Sequence, residues 1–97
     1  MVKHVVFFKF KPEVGRDDRA AFIAGLRELP ARIPFIVSPE VGEDFMGTPR
    51  SCHAALVFGF RDRQALNEYA IHPQHQPVLA RAKELCESIA AVDYEVP

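Results

Sequence analysis

A chain of 97 residues makes one domain, and a domain this small buries only a modest fraction of its surface when it folds alone, so a partner chain matters to it. Its composition, 48% hydrophobic and 26% charged, excludes disordered and low-complexity segments. Twelve Lys and Arg stand against 13 Asp and Glu, for a formal charge of −1 without any run of like charge, which argues against nucleic acid and membrane as partners.

The opening "MVKHVVFFKFK" is too short and too interrupted by lysine for a signal peptide or a spanning helix, so a cytoplasmic location is expected. Within it, "HVVFFKF", His4 to Phe10, has the bulk and β-branching of a strand, stopped by Pro12 and Gly15. His4, Val6, Phe8 and Phe10 share one face and Val5, Phe7 and Lys9 the other, so both faces need cover. Asp17 is a plausible N-cap for a helix with Phe22, Ile23, Leu26 and Leu29 along one stripe, ending near Pro30 and Pro34. "FIVSPEVGEDF", Phe35 to Phe45, is a weaker strand whose Pro39 places it at a sheet edge.

"CHAALVFGF", Cys52 to Phe60, is a strong strand with His53, Ala55, Val57 and Gly59 on one face and Ala54, Leu56, Phe58 and Phe60 on the other. Asp62 caps a helix through Tyr69, which must bend before Pro73. A second helical piece runs to about Ser88, and "IAAVDYEV" closes the chain as a last strand. The fold class is therefore α+β in the order β-α-β-β-α-β, a single domain over residues 1–97 with a four-stranded antiparallel sheet and both helices on one face. Two helices cover one face only. The other would show Val5, Phe7, Ala54, Leu56, Phe58 and Phe60 to water, and a homodimer packed sheet on sheet through Val5, Phe7, Leu56 and Phe58 is the expected cover.

The stretch "YAIHPQH", Tyr69 to His75, admits three readings. As a metal site it is weak: Pro73 sits between the histidines, no third ligand lies close in sequence, and Cys52 and Cys86 lack companions at ligand spacing, so no metal or cofactor is expected. As a helix break it makes sense of His72, which can bond freed backbone groups. As an acid/base pair it turns Tyr69 and His75 toward one cavity, a phenol and an imidazole suited to proton transfer. If Phe22, Ile23 and Leu26 pack on the face of Val6, Phe8, Ala55 and Val57, then His4 and His53 join that cavity, which then looks like a small-molecule site.

The segments "VKHVVFFKFK", "HAALVFGF", "ALNEYAIHPQH" and "VDYEVP" together resemble the stress-responsive A/B barrel (Dabb) family over essentially the whole chain. The combination of a K-H strand with Y-x-x-H-P-x-H carries the resemblance. It implies a ferredoxin-like monomer paired through its sheet into a dimeric α+β barrel. It also implies, by likeness to a polyketide-cyclising plant member, that Tyr69 and His75 are catalytic. By the same likeness His4 and His53 line the pocket with Val6, Phe8, Phe22, Ile23, Leu26, Ala55, Val78 and Ile89. Three functions follow as alternatives. They are a cyclase- or isomerase-like enzyme acting on a polyketide-like or aromatic carbonyl compound, a non-catalytic binder of a small apolar or aromatic ligand, and a stress-associated structural dimer.

Overall fold

The Val- and Phe-rich run after Met1 is extended because branched and aromatic side chains pack well on a pleated surface. In the computed structural model, which describes Met1–Pro97, it is β1 (Val2–Phe10), an inner strand of the sheet. There follow α1 (Arg16–Arg32), β2 (Val37–Glu43), β3 (Ala54–Phe60), α2 (Arg63–Ala70), α3 (Gln76–Leu85) and β4 (Cys86–Glu95). The strands are ordered β2-β3-β1-β4 and every neighbouring pair is antiparallel. This is the expected ferredoxin-like α+β architecture, with the second helix divided in two.

Local chemistry accounts for the boundaries. Helix α1 buries Phe22, Ile23, Leu26 and Leu29, as its spacing requires, but it is capped at Gly15 rather than Asp17. Gly15 is extended, and Asp17 and Asp18 lie inside the first turn, where carboxylates complement the helix N-terminus. Pro30 does not end the helix. The chain continues helical to Arg32, the Ile33 N–H donates to the Leu29 carbonyl at 2.8 Å, and Ile33 and Ile36 are drawn into the same core. Asp62 caps α2 as expected, its carboxylate accepting from the Ala65 N–H at 2.8 Å. Strand β2 is an edge, and its register shifts between Val37 and Glu40 around Pro39, with Ser38 in the left-handed region at φ 47°. Strand β4 begins at Cys86, three residues before the expected Ile89, because the β1 ladder continues through Ser88 opposite Lys9 and Cys86 opposite Phe10.

The faces of β3 are the reverse of the expected ones. Directly opposed residues in an antiparallel pair share a face, and β1 meets β3 with His4 opposite Phe58, Val6 opposite Leu56 and Phe8 opposite Ala54. Leu56 and Phe58 therefore point with His4 and Val6 under the helices, at 3% and 0% exposure, beside Ala54 and Phe60. They cannot form the outer face. Both alternate sets of β3 are apolar, so its pattern did not choose between them; the larger set filled the core. The uncovered face carries Val5 opposite Val57 and Val92, and Phe7 opposite Ala55 and Ala90. On it Phe7 is 42% and Val92 50% exposed.

Because Phe58 is enclosed, its truncation removes core rather than interface. Phe58→Ala is expected to cost about 3–5 kcal/mol of unfolding free energy, measured from the denaturant midpoint. A cost under about 1 kcal/mol would show that the side chain lies outside the packed core.

Candidate functional site

The site is built on the break between α2 and α3. Helix α2 ends at Ala70, the chain turns through His72 to Gln74, and α3 starts behind His75, which occupies its N-cap, with Pro77 in the first turn where its missing N–H costs nothing. Breaking a helix leaves carbonyls without partners. Here the Ala70 carbonyl accepts from His75 Nδ1 at 3.2 Å and from Gln76 Nε2 at 2.9 Å. The His72 carbonyl accepts the His75 N–H at 2.9 Å, while His72 Nδ1 accepts the Gln74 N–H at 3.1 Å. His72 thus closes the turn and does not line the cavity.

A carbonyl can only accept, so the bond to Ala70 places the proton on His75 Nδ1 and leaves Nε2 as the free lone pair. The imidazole lies against the Tyr69 ring, centroids 4.3 Å apart at 30°. Both border a cavity of about 200 Å³ between the helices and the β1–β4 half of the sheet, lined by His4, Val6, Phe8, Leu26, Leu56, Tyr69, His75, Val78, Leu79, Ala82, Ile89 and Ala91. An apolar cavity of ~150 Å³ already admits one benzene, so this one has room for a single-ring compound. The Tyr69 hydroxyl has no protein partner, yet no occluded side-chain polar atom is left unsatisfied, so in a residue only 2% exposed its oxygen keeps some accessible surface.

Electrostatics divides the roles of the pair. Burial pushes the Tyr69 phenol well above its ordinary value, so it stays protonated and can donate. Burial likewise lowers His75; the hydrogen bond to the Ala70 carbonyl opposes this, and nearby His4 and His72 add to it. At neutral pH His75 is a neutral imidazole.

Tyr69, His75, His4, Val6, Phe8, Leu26, Val78 and Ile89 stand around one cavity; His53, Ala55, Phe22 and Ile23 do not line it. His53 and His4 are separated by the antiparallel register. His4 lies opposite Phe58, whereas His53 precedes the Ala54–Phe8 pair, roughly 17 Å away at ~3.4 Å per residue. His53 instead accepts the Phe10 N–H at 2.9 Å and stacks on the Phe10 ring. Ala55 lies on the uncovered face with Phe7. Phe22 packs edge-on against Phe8 and Phe10, and Ile23 is enclosed in the core.

One polar neighbour has no signal in the local motif. Asp93 of β4 lies directly opposite His4 of β1 and bonds His4 Nδ1, while His4 stands edge-on to Tyr69 with centroids 5.8 Å apart. Only the β1–β4 register brings this carboxylate to the site; the pairing of an N-terminal with a C-terminal strand was the one clue available. No three His, Cys, Asp or Glu side chains converge to hold a metal ion, and no helix is long and apolar enough to cross a membrane.

The sequence pattern of the stress responsive A/B barrel domain matches residues 2–96. An uncharacterised protein of Streptomyces coelicolor is 31% identical over 97 residues, spanning 98% of this chain and 99% of its own. A dimeric Bacteroides fragilis protein of ferredoxin-like fold and unknown function is 33% identical, covers 98% of this chain and 95% of that one, and superposes with a TM-score of 0.81. The hydroxynitrile lyase of Passiflora edulis superposes with a TM-score of 0.88 over 99% of this chain and 93% of its own, at 18% identity, a likeness of fold alone.

The lowered His75 has a thermodynamic consequence. In the unfolded chain a histidine titrates near ~6.5; below that pH the unfolded state takes up a proton that folded His75 refuses, so stability is present above it and lost as the medium is acidified. Thermal unfolding followed from about pH 8 to about pH 5 should show a steeper acid loss for the native chain than for His75→Gln. Identical slopes would remove His75 as the group responsible.

Proposed function

This chain belongs to the stress-responsive A/B barrel family, and on that premise we propose that it is a small-molecule pocket protein with cyclase- or isomerase-like activity on a polyketide-like or aromatic carbonyl compound. The observation that carries this reading is the pairing of an unpartnered phenol with a neutral imidazole on the wall of one apolar cavity. His75 Nε2 takes a proton from the carbon next to the carbonyl. The C–H electron pair becomes the new C=C bond, and the C=O pair moves onto oxygen. Tyr69 donates a hydrogen bond to that oxygen as negative charge develops. The enolate then either attacks a second carbonyl within the same molecule, closing a ring whose new alkoxide takes the proton back from the His75 imidazolium, or, where a C=C bond next to the α-carbon makes it a dienolate, is reprotonated by that imidazolium at the far carbon, shifting the double bond. That the same fold houses a lyase supports a catalytic reading only by analogy of fold.

The mainly apolar lining also favours a second reading, a binder that holds a small apolar or aromatic molecule without turnover. Exchange distinguishes the two. In heavy water, small aryl ketones should exchange their α-hydrogens for deuterium in the presence of the native chain, followed by proton NMR. His75→Ala should lose on the order of 10²- to 10⁴-fold of that rate, and Tyr69→Phe should slow it while ligand binding persists. Binding without exchange would favour the binder.

The working unit in this reading is a homodimer closed over the face of Val5, Phe7, Val57 and Val92, in keeping with the dimeric Bacteroides relative. Each large apolar side chain covered contributes roughly 1.5–3 kcal/mol, enough in sum to hold two small chains together. Phe7→Glu places a charge at the centre of that face and should yield a folded monomer in light scattering. A well-folded dimer would put the interface elsewhere.

A further inference from the structure

The cavity wall has no lysine or arginine. Its titratable groups are His4, Tyr69 and His75, and the one charged side chain bonded to any of them is Asp93, a single imidazole ring away from the open space. Two arginines border neighbouring depressions, but both are engaged: Arg63 pairs with Glu95, and Arg81 with Glu84 at 2.8 Å and Asp18 at 3.7 Å. With His4 neutral, the His4–Asp93 pair carries one negative charge; with His4 as imidazolium it carries none. In neither state is the net charge of the pair positive.

We propose that the cavity accepts uncharged carbonyl compounds and rejects carboxylates, a discrimination that Asp93 reinforces. The inference rests on the reading of the cavity as a ligand site. A carboxylate brought among Val6, Phe8, Leu26 and Leu79 would lose its hydration and meet no compensating charge, which is costly enough that such groups stay in water or take up a proton. His75 offers no relief, since burial keeps it neutral. An uncharged carbonyl loses little on entry and gains the Tyr69 hydroxyl as donor. Asp93 adds repulsion to the anion, moderated because its side chain is 41% exposed and so screened by solvent.

The test uses two ligands of nearly the same shape and opposite character, benzamide and benzoate, titrated at neutral pH against the 97-residue chain. Binding is read from NMR shifts of the His75 and Tyr69 side-chain resonances. Benzamide should bind about tenfold or more tightly than benzoate, and Asp93→Asn, which keeps the acceptor oxygen but removes the charge, should narrow that ratio by strengthening benzoate alone. Thermal unfolding of Asp93→Asn establishes that the variant is folded, and a retained His4–Tyr69 nuclear Overhauser contact establishes that the His4 ring is held in place. If benzoate binds the native chain as well as benzamide does, the charge discrimination is overturned while the cavity stands as a ligand site; if the ratio is unchanged in Asp93→Asn, the part assigned to Asp93 is overturned. If neither compound moves the His75 and Tyr69 resonances, the ligand site itself is overturned, and this inference with it.

Discussion

Strand β1 is the constraint on which the rest of the molecule depends. It hydrogen-bonds to β3 on one side and β4 on the other over nearly its whole length, so each of its residues dictates what stands beside it on both neighbours. Its alternation is then transmitted across the sheet. His4, Val6 and Phe8 carry Phe58, Leu56 and Ala54 inward with them, and Val5 and Phe7 carry Val57 and Ala55 outward. The inner row becomes the floor of a cavity, and the outer row becomes an apolar face without a cover. A slip of one residue in either pairing would exchange the two rows.

Above that floor, an interrupted helix does what a continuous one could not. In an unbroken helix Tyr69 and His75, six residues apart, would point about 120° away from each other and stand about 9 Å apart along the axis, since six steps of 100° come to 600°, or 120° short of two full turns. The turn through His72 and Pro73 removes that restriction and lets the two rings meet at 4.3 Å. The break also supplies the carbonyl that orients the base. Ala70 would bond Gln74 inside a continuous helix; freed, it holds His75 Nδ1 and Gln76 instead. The structural role of the stretch and its chemical role are therefore two consequences of one interruption, with His72 serving the turn and His75 the cavity.

The polar groups of the cavity are few and unequal. Tyr69 is kept protonated and His75 neutral by the same cause, removal from water, which acts on each through its own charged form. His4 differs from both because it is tied to a carboxylate that reaches solvent. An apolar pocket with one donor, one base and a neighbouring negative charge favours ligands that bring no charge of their own.

Composition and pattern alone determined the class of fold, the order of its elements, the buried stripe of α1, the edge position of β2 and the helix break at Pro73. Each of these follows from short-range chemistry: β-branching, a 3.6-residue period, a missing N–H. Tyr69, His75 and His4 were legible as candidates because the break and the parity of one clearly patterned strand point at the same space. What the tertiary structure decided is whatever depends on register. Strand β3 is apolar on both faces, so nothing local told Leu56 and Phe58 from Ala55 and Val57, and pairing with β1 chose. The same pairing separated His53 from His4, which sequence parity had brought together. Asp93 became part of the site only through the β1–β4 ladder, across 89 residues of chain. Alternation along a strand is a local property and can be read in one dimension; the offset between strands is settled by the summed packing of all of them, and it is this offset that decides which side chains meet.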